Sequence, residues 1–306
     1  MITLNGLTKR YGETVAVDGV DLAIAPGRVT GFLGPNGSGK STTMRLILGL
    51  DSPTRGTALI DGKPYAALRH PLRRVGALLD ARSLHPGRRA RSHLVAMARS
   101  NGIPVSRVDE VLGIVGLEGV ARKRAGSFSL GMGQRLGVAG ALLGDPDTLI
   151  LDEPVNGLDP DGVRWVRELL RGQAAQGRTV FLSSHLMSEM QLTADHLVVI
   201  GRGRVIADGP VEAILGASST TAVRVRVPDP DDHRRLVARL RERSLTVSGT
   251  SADTITVAGN AVAEVGDLAF AERVRLHELR VVEASLEEAY LEITAASVEY
   301  GAEAGR

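Results

Sequence analysis

Apolar and polar residues alternate at period two from the start of the chain, in Met1-Ile2-Thr3-Leu4-Asn5-Gly6-Leu7, which predicts a strand. Turns expected at Gly6, Gly12, Gly19 and Pro26-Gly27 divide residues 2–33 into short strands of a small antiparallel sheet. Continuous apolar runs then replace the alternation. Val29-Thr30-Gly31-Phe32-Leu33, Thr148-Leu149-Ile150-Leu151 and Arg178-Thr179-Val180-Phe181-Leu182 read as buried strands, the pattern of a parallel sheet. Further strands are expected at residues 57–60, before the turn Asp61-Gly62, and at 75–80. The period lengthens to that of a helix at residues 161–176, where Val163, Val166, Leu169 and Leu170 share one face. Residues 88–145 read as a helical insertion, with helices at 90–100, 106–115 and 131–143 broken by Gly and Pro. Strands alternate with helices, so the core is α/β.

The small polar run Gly216-Ala217-Ser218-Ser219-Thr220 reads as a linker. Beyond it the order is strand, helix, two strands, helix, strand, at residues 222–227, 231–243, 245–247, 254–257, 261–273 and 276–282. This βαββαβ order predicts a small α+β ferredoxin-like domain, followed by a capped terminal helix at Ser285-Leu286-Glu287-Glu288-Ala289-Tyr290-Leu291. Two domains are therefore expected, 1–215 and 216–306, the first holding a helical subdomain at about 88–145.

Composition narrows the chemistry. The 306 residues are 43% hydrophobic but only 3% aromatic, so small aliphatic side chains must fill the core. A formal net charge of +2 is too small to predict nucleic acid as a partner. Cysteine is absent, which excludes a disulfide scaffold, a thiolate nucleophile and a Cys-based metal site. The N-terminal residues lack the charged-then-apolar pattern of a leader, and no apolar run approaches the roughly 18 residues of a spanning helix. A role at a membrane would require another chain to cross it.

Chemistry concentrates at strand ends. Gly34-Pro35-Asn36-Gly37-Ser38-Gly39-Lys40-Ser41-Thr42 fits G-x-x-x-x-G-K-[ST] between a predicted strand and a predicted helix. Glycines there let backbone N–H groups converge on phosphate oxygens at the positive end of the helix dipole. Lys40 would reach the terminal phosphates and the Ser41 hydroxyl would hold Mg²⁺. A second apolar strand ends in Asp152 and Glu153, placing a hard-oxygen metal ligand and a general base beside the cradle. His185 follows a third buried strand, where an imidazole can reach a terminal phosphate and help position water. Ser129 opens a helix with Gly131 behind it, either as a plain N-cap or as a second anion site. Tyr11, in a polar turn, either stacks on a purine or packs on its own sheet.

The order of the cradle, Phe128-Ser129-Leu130-Gly131-Met132, Leu151-Asp152-Glu153-Pro154, Gly157-Leu158-Asp159 and Ser184-His185 resembles the nucleotide-binding subunit of an ABC transporter, over residues 2 to about 215. The resemblance extends to antibiotic and multidrug exporter ATPases of the daunorubicin-resistance type, which also carry a C-terminal extension. It implies a P-loop NTPase core with an antiparallel β subdomain and a helical subdomain. It also implies ATP and Mg²⁺ as cofactors, with Gly34 to Thr42 as the Walker A loop and Asp152 and Glu153 as the Walker B pair. Tyr11 would stack on adenine, His185 would be the switch histidine, and Asp159 would belong to the D-loop. Ser129 and Gly131 would close over ATP bound to a second nucleotide-binding subunit, in a head-to-tail dimer with an identical or a related chain. A separate integral-membrane permease and a cytoplasmic place on the inner face of the membrane follow from the same likeness.

Three positions depart from the family pattern. Leu130 and Met132 stand where the signature usually has Gly and Gln, and Asp80 stands where the Q-loop has glutamine. A carboxylate cannot donate as an amide does, but it can bind Mg²⁺ directly or through water, so Asp80 is expected to keep a metal-sensing role with altered coupling. A soluble ABC-type ATPase of DNA repair or translation is the alternative; such proteins usually carry two cassettes or a long coiled coil, and this chain shows one cassette and no sustained heptads. A P-loop kinase would leave the signature-like stretch and Ser184-His185 unexplained.

Overall fold

The alternation at the start of the chain becomes two long strands, β1 (Ile2–Tyr11) and β2 (Thr14–Ile24), paired antiparallel in a computed structural model. Gly6 and Gly19 are not the expected turns. They lie inside these strands at φ 55° and 61°, where the pairing register shifts, and so form bulges. Each bulge moves the buried positions by one: Ile2 and Leu4 give way to Leu7 on β1, and Val17 to Val20 on β2.

The structure describes residues 1–80, 85–217, 222–282, 286, 287, 289–291 and 294. Ser218, Ser219 and Thr220 of the expected linker, and Ser285 and Glu288 of the expected terminal helix, lie outside them. The chain divides into two compact units, Met1–Val211 and Glu212–Arg306.

In the first unit β3 (Val29–Leu33) is buried at every position and runs through residues 34–39 into α1 (Lys40–Ile47). The chain returns as β4 (Arg55–Ile60) on the other edge of β1, completing a three-stranded sheet β2-β1-β4. After α2 (Pro71–Arg74) and β5 (Val75–Leu78) come α3 (Ala90–Ser100), α4 (Ser106–Ile114) and α5 (Leu130–Leu142), the expected helical insertion. Its helices pack α3 on α4 and α4 on α5, burying Leu94, Val108, Leu112 and Leu136.

The chain then re-enters the α/β layers with β6 (Thr148–Leu151), α6 (Pro160–Ala175), β7 (Thr179–Ser183) and α7 (Met187–Thr193). On α6 the buried stripe is Gly162, Val166, Leu170 and Ala174, with Val163 and Leu169 half-buried at its margins. A hairpin of β8 (His196–Gly201) and β9 (Arg204–Pro210) follows. The sequence reading had not assigned this hairpin. Six strands form one sheet in the order β5-β6-β7-β3-β8-β9, parallel except for β9. Phe32 and Phe181 meet at 5.2 Å between ring centroids, in a core that also takes in Ile2, Leu4, Met44 and Ile150, so both sheets of this unit share one interior. The division between the units falls at the start of α8 (Val211–Ala217).

The second unit has β10 (Ala222–Arg226), α9 (Pro230–Glu242), β11 (Val247–Thr250), β12 (Thr254–Ala258), α10 (Val262–Ala271) and β13 (Glu278–Val282). Its strands form an antiparallel sheet in the order β11-β12-β10-β13, over a core of Val223, Val225, Leu236, Leu240, Ile255 and Val265. Asp229 caps α9 by accepting the N–H groups of Asp231 and Asp232 at 2.9 Å each, and Pro230 supplies a preset first turn.

The approach of α5 to the sheet depends on glycine. A Cβ on Gly76 of β5 would sit 2.0 Å from the carbonyl oxygen of Ala141. Gly76→Ala is expected to lower stability by about 1–3 kcal/mol through this overlap. Urea unfolding with a reduced midpoint and an unchanged slope would be the signature of that loss.

Candidate active site

Because β3, β6 and β7 run parallel, the segments that follow them open on the same edge of the sheet. The segment after β3 needs its glycines for two different reasons. A Cβ on Gly34 would lie 2.4 Å from the Ile200 carbonyl oxygen, and one on Gly39 would lie 2.4 Å from that of Ala16, so neither position has room for a side chain. Gly37 has open space around it but adopts φ 79°. Lys40 begins α1 and is only 7% exposed. Its Nζ donates to the carbonyls of Gly34 at 2.6 Å and Pro35 at 3.2 Å. Burial pushes the Lys40 ammonium below the usual lysine range, and the nearby charges of Glu153 and Asp152 oppose that shift. The Ser38 hydroxyl is buried beside it without a hydrogen-bond partner. A buried cation, an unsatisfied hydroxyl and a helix N-terminus at one place suit phosphate oxygens.

A cavity of about 260 Å³ opens here. Asn36, Gly37, Gly39, Lys40, Ser41 and Thr42 line one side, Asp152 and Glu153 another, and Ala16 and Leu79 the remainder. Neither Ala16 nor Leu79 was singled out from the sequence. Among the described residues no group of three or more His, Asp or Glu side chains converges as a metal site. The oxygens of Ser41 and Asp152 nevertheless share the cavity with Lys40, a donor set that fits a hard cation whose remaining ligands are phosphate oxygens and water.

The two acids share one neighbour, the Ser183 hydroxyl. Asp152 donates its N–H to the Leu78 carbonyl at 2.7 Å, and its carboxylate accepts from the Ser183 hydroxyl. That same hydroxyl oxygen accepts the Glu153 N–H at 3.0 Å. Glu153 adopts φ 52°, uncommon for a residue with a side chain. Its carboxylate lies 2.7 Å from His185 Nδ1 and accepts the His185 backbone N–H at 3.3 Å. A carboxylate only accepts, so Nδ1 carries the hydrogen and Nε2 is left to face outward chemistry. The Glu153 carbonyl accepts from Gln134 Nε2 at 2.9 Å. Sequence reasoning missed the parts played by Ser183 and Gln134. The run Ser183-Ser184-His185 was visible, but the pairing of β7 beside β6 that brings Ser183 to both acids was not.

The other expected site residues lie outside the cavity lining. The Tyr11 ring is 48% exposed, with the Lys9 ammonium 4.9 Å from its centroid. Its hydroxyl donates to Asp51 at 2.9 Å, and Arg45 grips the same carboxylate at 2.7 and 3.1 Å. Those bonds, from Arg45 first and Tyr11 second, hold the Asp51 carboxyl down at about 2. Asp80 is exposed just beyond β5, and its neighbour Leu79 takes the place in the lining. Ser129 caps α5 by accepting the Met132 N–H at 3.2 Å, and Asp159 caps α6 by accepting that of Gly162 at 2.8 Å. Leu130 and Gly131 pack on Gly157 and Leu158; a Cβ on Gly157 would lie 2.2 Å from Leu130 Cδ2. Ser129, Gly131 and Asp159 are therefore not part of the lining of the cavity.

Known proteins resemble this chain in sequence and fold. A profile of the ABC transporter family matches residues 17–156, and a profile of a domain of unknown function matches residues 221–287. The bacitracin transport ATP-binding protein BcrA of Bacillus licheniformis is 41% identical over 215 residues, covering 69% of this chain and 70% of that protein. The uncharacterized ABC transporter ATP-binding protein YhcH of Bacillus subtilis is 35% identical over 302 residues, 96% of each chain. The lantibiotic transport ATP-binding protein SrtF of Streptococcus pyogenes is 36% identical, covering 68% of this chain and 90% of that one. Among solved structures, an ATP-binding subunit of an ABC transporter superposes with a TM-score of 0.65 at 27% identity, covering 71% of this chain and 92% of its own. A dimeric bacterial ABC transporter cassette gives 0.64 at 26% identity, covering 69% and 99%. Similarity that runs through both units of the chain goes beyond a shared fold: the chain belongs to the ABC transporter family, as one of its ATP-binding, ATP-hydrolysing subunits.

Proposed function

We propose that this chain powers export of a drug, an antibiotic or another hydrophobic compound through a separate membrane-spanning permease, working from the cytoplasmic face of the membrane. The observation that carries the reading is the shared cavity, in which Lys40 and Ser41 stand opposite Asp152 and Glu153. Relatives named for bacitracin and lantibiotic transport and for Nod factor export support the direction and the class of cargo. No helix among the described residues is long and apolar enough to cross a membrane, so the cargo path would belong to the partner.

Each residue then has a role. Gly34 to Thr42 wrap the phosphates of ATP, and Tyr11 stacks on the adenine. Lys40 neutralises the terminal phosphates. Ser41 and Asp152 hold Mg²⁺, with Asp80 sensing it from the loop after β5. When bound, the metal would neutralise charge on the phosphates. Glu153 accepts a proton from water as its oxygen bonds to the γ-phosphorus, and the bond to the ADP oxygen breaks. His185 fixes the Glu153 carboxylate and turns Nε2 toward the phosphate. Ser129, Gly131 and Asp159 act on ATP held by a second nucleotide-binding subunit, which makes the working unit a head-to-tail pair. The unit after residue 215 serves as an α+β accessory domain of ferredoxin-like build.

Glu153→Gln is expected to bind ATP, accumulate as a dimer on gel filtration, and lose phosphate release by roughly 10²- to 10⁴-fold. Full turnover in that variant would overturn the assignment of Glu153. Asp80→Ala should change both the rate and the Mg²⁺ concentration for half-maximal ATPase activity; identical values in the two proteins would remove Asp80 from the metal pathway. Affinity purification from the native membrane should bring down an integral-membrane protein, and recovery of the chain alone would argue against a transporter role.

A further inference from the structure

Glu153 holds a left-handed backbone conformation that a residue with a Cβ keeps only when its surroundings enforce it. The enforcement comes from both sides of the residue. Ser183 Oγ accepts its N–H at 3.0 Å, and Gln134 Nε2 donates to its carbonyl oxygen at 2.9 Å. Ser183 belongs to the neighbouring strand β7, but Gln134 stands in the second turn of α5, in the helical subdomain, and is only 4% exposed. The same helix begins at the Ser129 cap, and its first residues, Leu130 and Gly131, pack on Gly157 and Leu158. The start of α5 therefore touches the segment 153–158 at both of its ends.

We propose that Gln134 is a positioning residue for hydrolysis, which ties the Glu153 backbone to α5 and so lets closure of a second subunit on Ser129 align the Glu153 carboxylate with water. This rests on the reading of Glu153 as general base. The bond is directional: the amide donates to a carbonyl that has an otherwise strained residue behind it, and removing the donor frees that residue to relax away from its active angle. A side chain present only to fill space would be replaceable by methionine, which has similar length and no donor.

The test uses the full chain carrying Gln134→Met or Gln134→Glu, with Glu153→Gln as reference. Thermal midpoint, ATP affinity, KM and kcat are measured for each. The expected result for Gln134→Met is an unchanged midpoint, ATP affinity and KM within about twofold of the parent, and kcat lowered roughly 10- to 100-fold, the scale of a misplaced catalytic group. Gln134→Glu, of equal size, sets an acceptor against the carbonyl when ionised; it is read for kcat alone, which should fall at least as far as in Gln134→Met. Parental kcat in either variant overturns the proposal, as does a loss of kcat in Gln134→Met that tracks a lowered thermal midpoint or a raised KM, which would mark Gln134 as a packing residue. If Glu153→Gln itself retains turnover, the general-base reading fails, whatever the Gln134 variants do.

Discussion

The site rests on the register of three parallel strands. Phe32 of β3 lies opposite Ser183 of β7, and Leu151 of β6 lies opposite Leu182 of β7. With that alignment β7 sets its last residue between the cradle and the paired acids, and a single hydroxyl ties Asp152 and Glu153 together. A slip of one residue would turn Ser183 to the other face of the sheet and leave the Glu153 amide without its acceptor. The register is in turn fixed by burial, since β3, β6 and β7 are apolar or Thr, Ser and Gly throughout and every position is enclosed.

Electrostatics follow from that geometry. Lys40 is buried, and its Nζ donates to two backbone carbonyls, neither of which carries a neutralising charge. The carboxylates of Asp152 and Glu153 lie across the cavity and favour the charged lysine. Phosphate oxygens entering between them would gain a cation that has already lost much of its hydration. In contrast, the Tyr11, Asp51 and Arg45 group is exposed, and its ion pair orients a ring at the surface with little consequence for stability.

Much of this was legible in the sequence because the residues concerned are contiguous. The cradle and the Asp152-Glu153 pair announce themselves as short motifs at strand ends, and the three helices of the insertion are marked off by the Gly and Pro between them. Ser183 and Gln134 could not be read that way. They lie 30 and 19 residues from Glu153, and their roles arise only when β7 and α5 are brought beside it. Gly6 and Gly19 were misread because a positive φ serves a bulge as well as a turn; the change of apolar phase from Leu4 to Leu7 was the available signal. The β8 and β9 hairpin also left a trace, in Leu197-Val198-Val199-Ile200 before the Gly201-Arg202-Gly203 turn.

Leu130 gives the departure from the usual signature a spatial meaning. Its side chain occupies the volume that a Cβ on Gly157 would need, while Gly157 itself turns at φ 76°. The two positions share one compartment between the start of α5 and the loop before α6. Leucine can stand at 130 because the residue facing it has no side chain, and residue 157 is confined to glycine twice over, by its angle and by its neighbour. A mutational walk through this region would therefore meet an asymmetric barrier: shortening residue 130 removes the overlap at 157, but the positive φ there still disfavours a side chain.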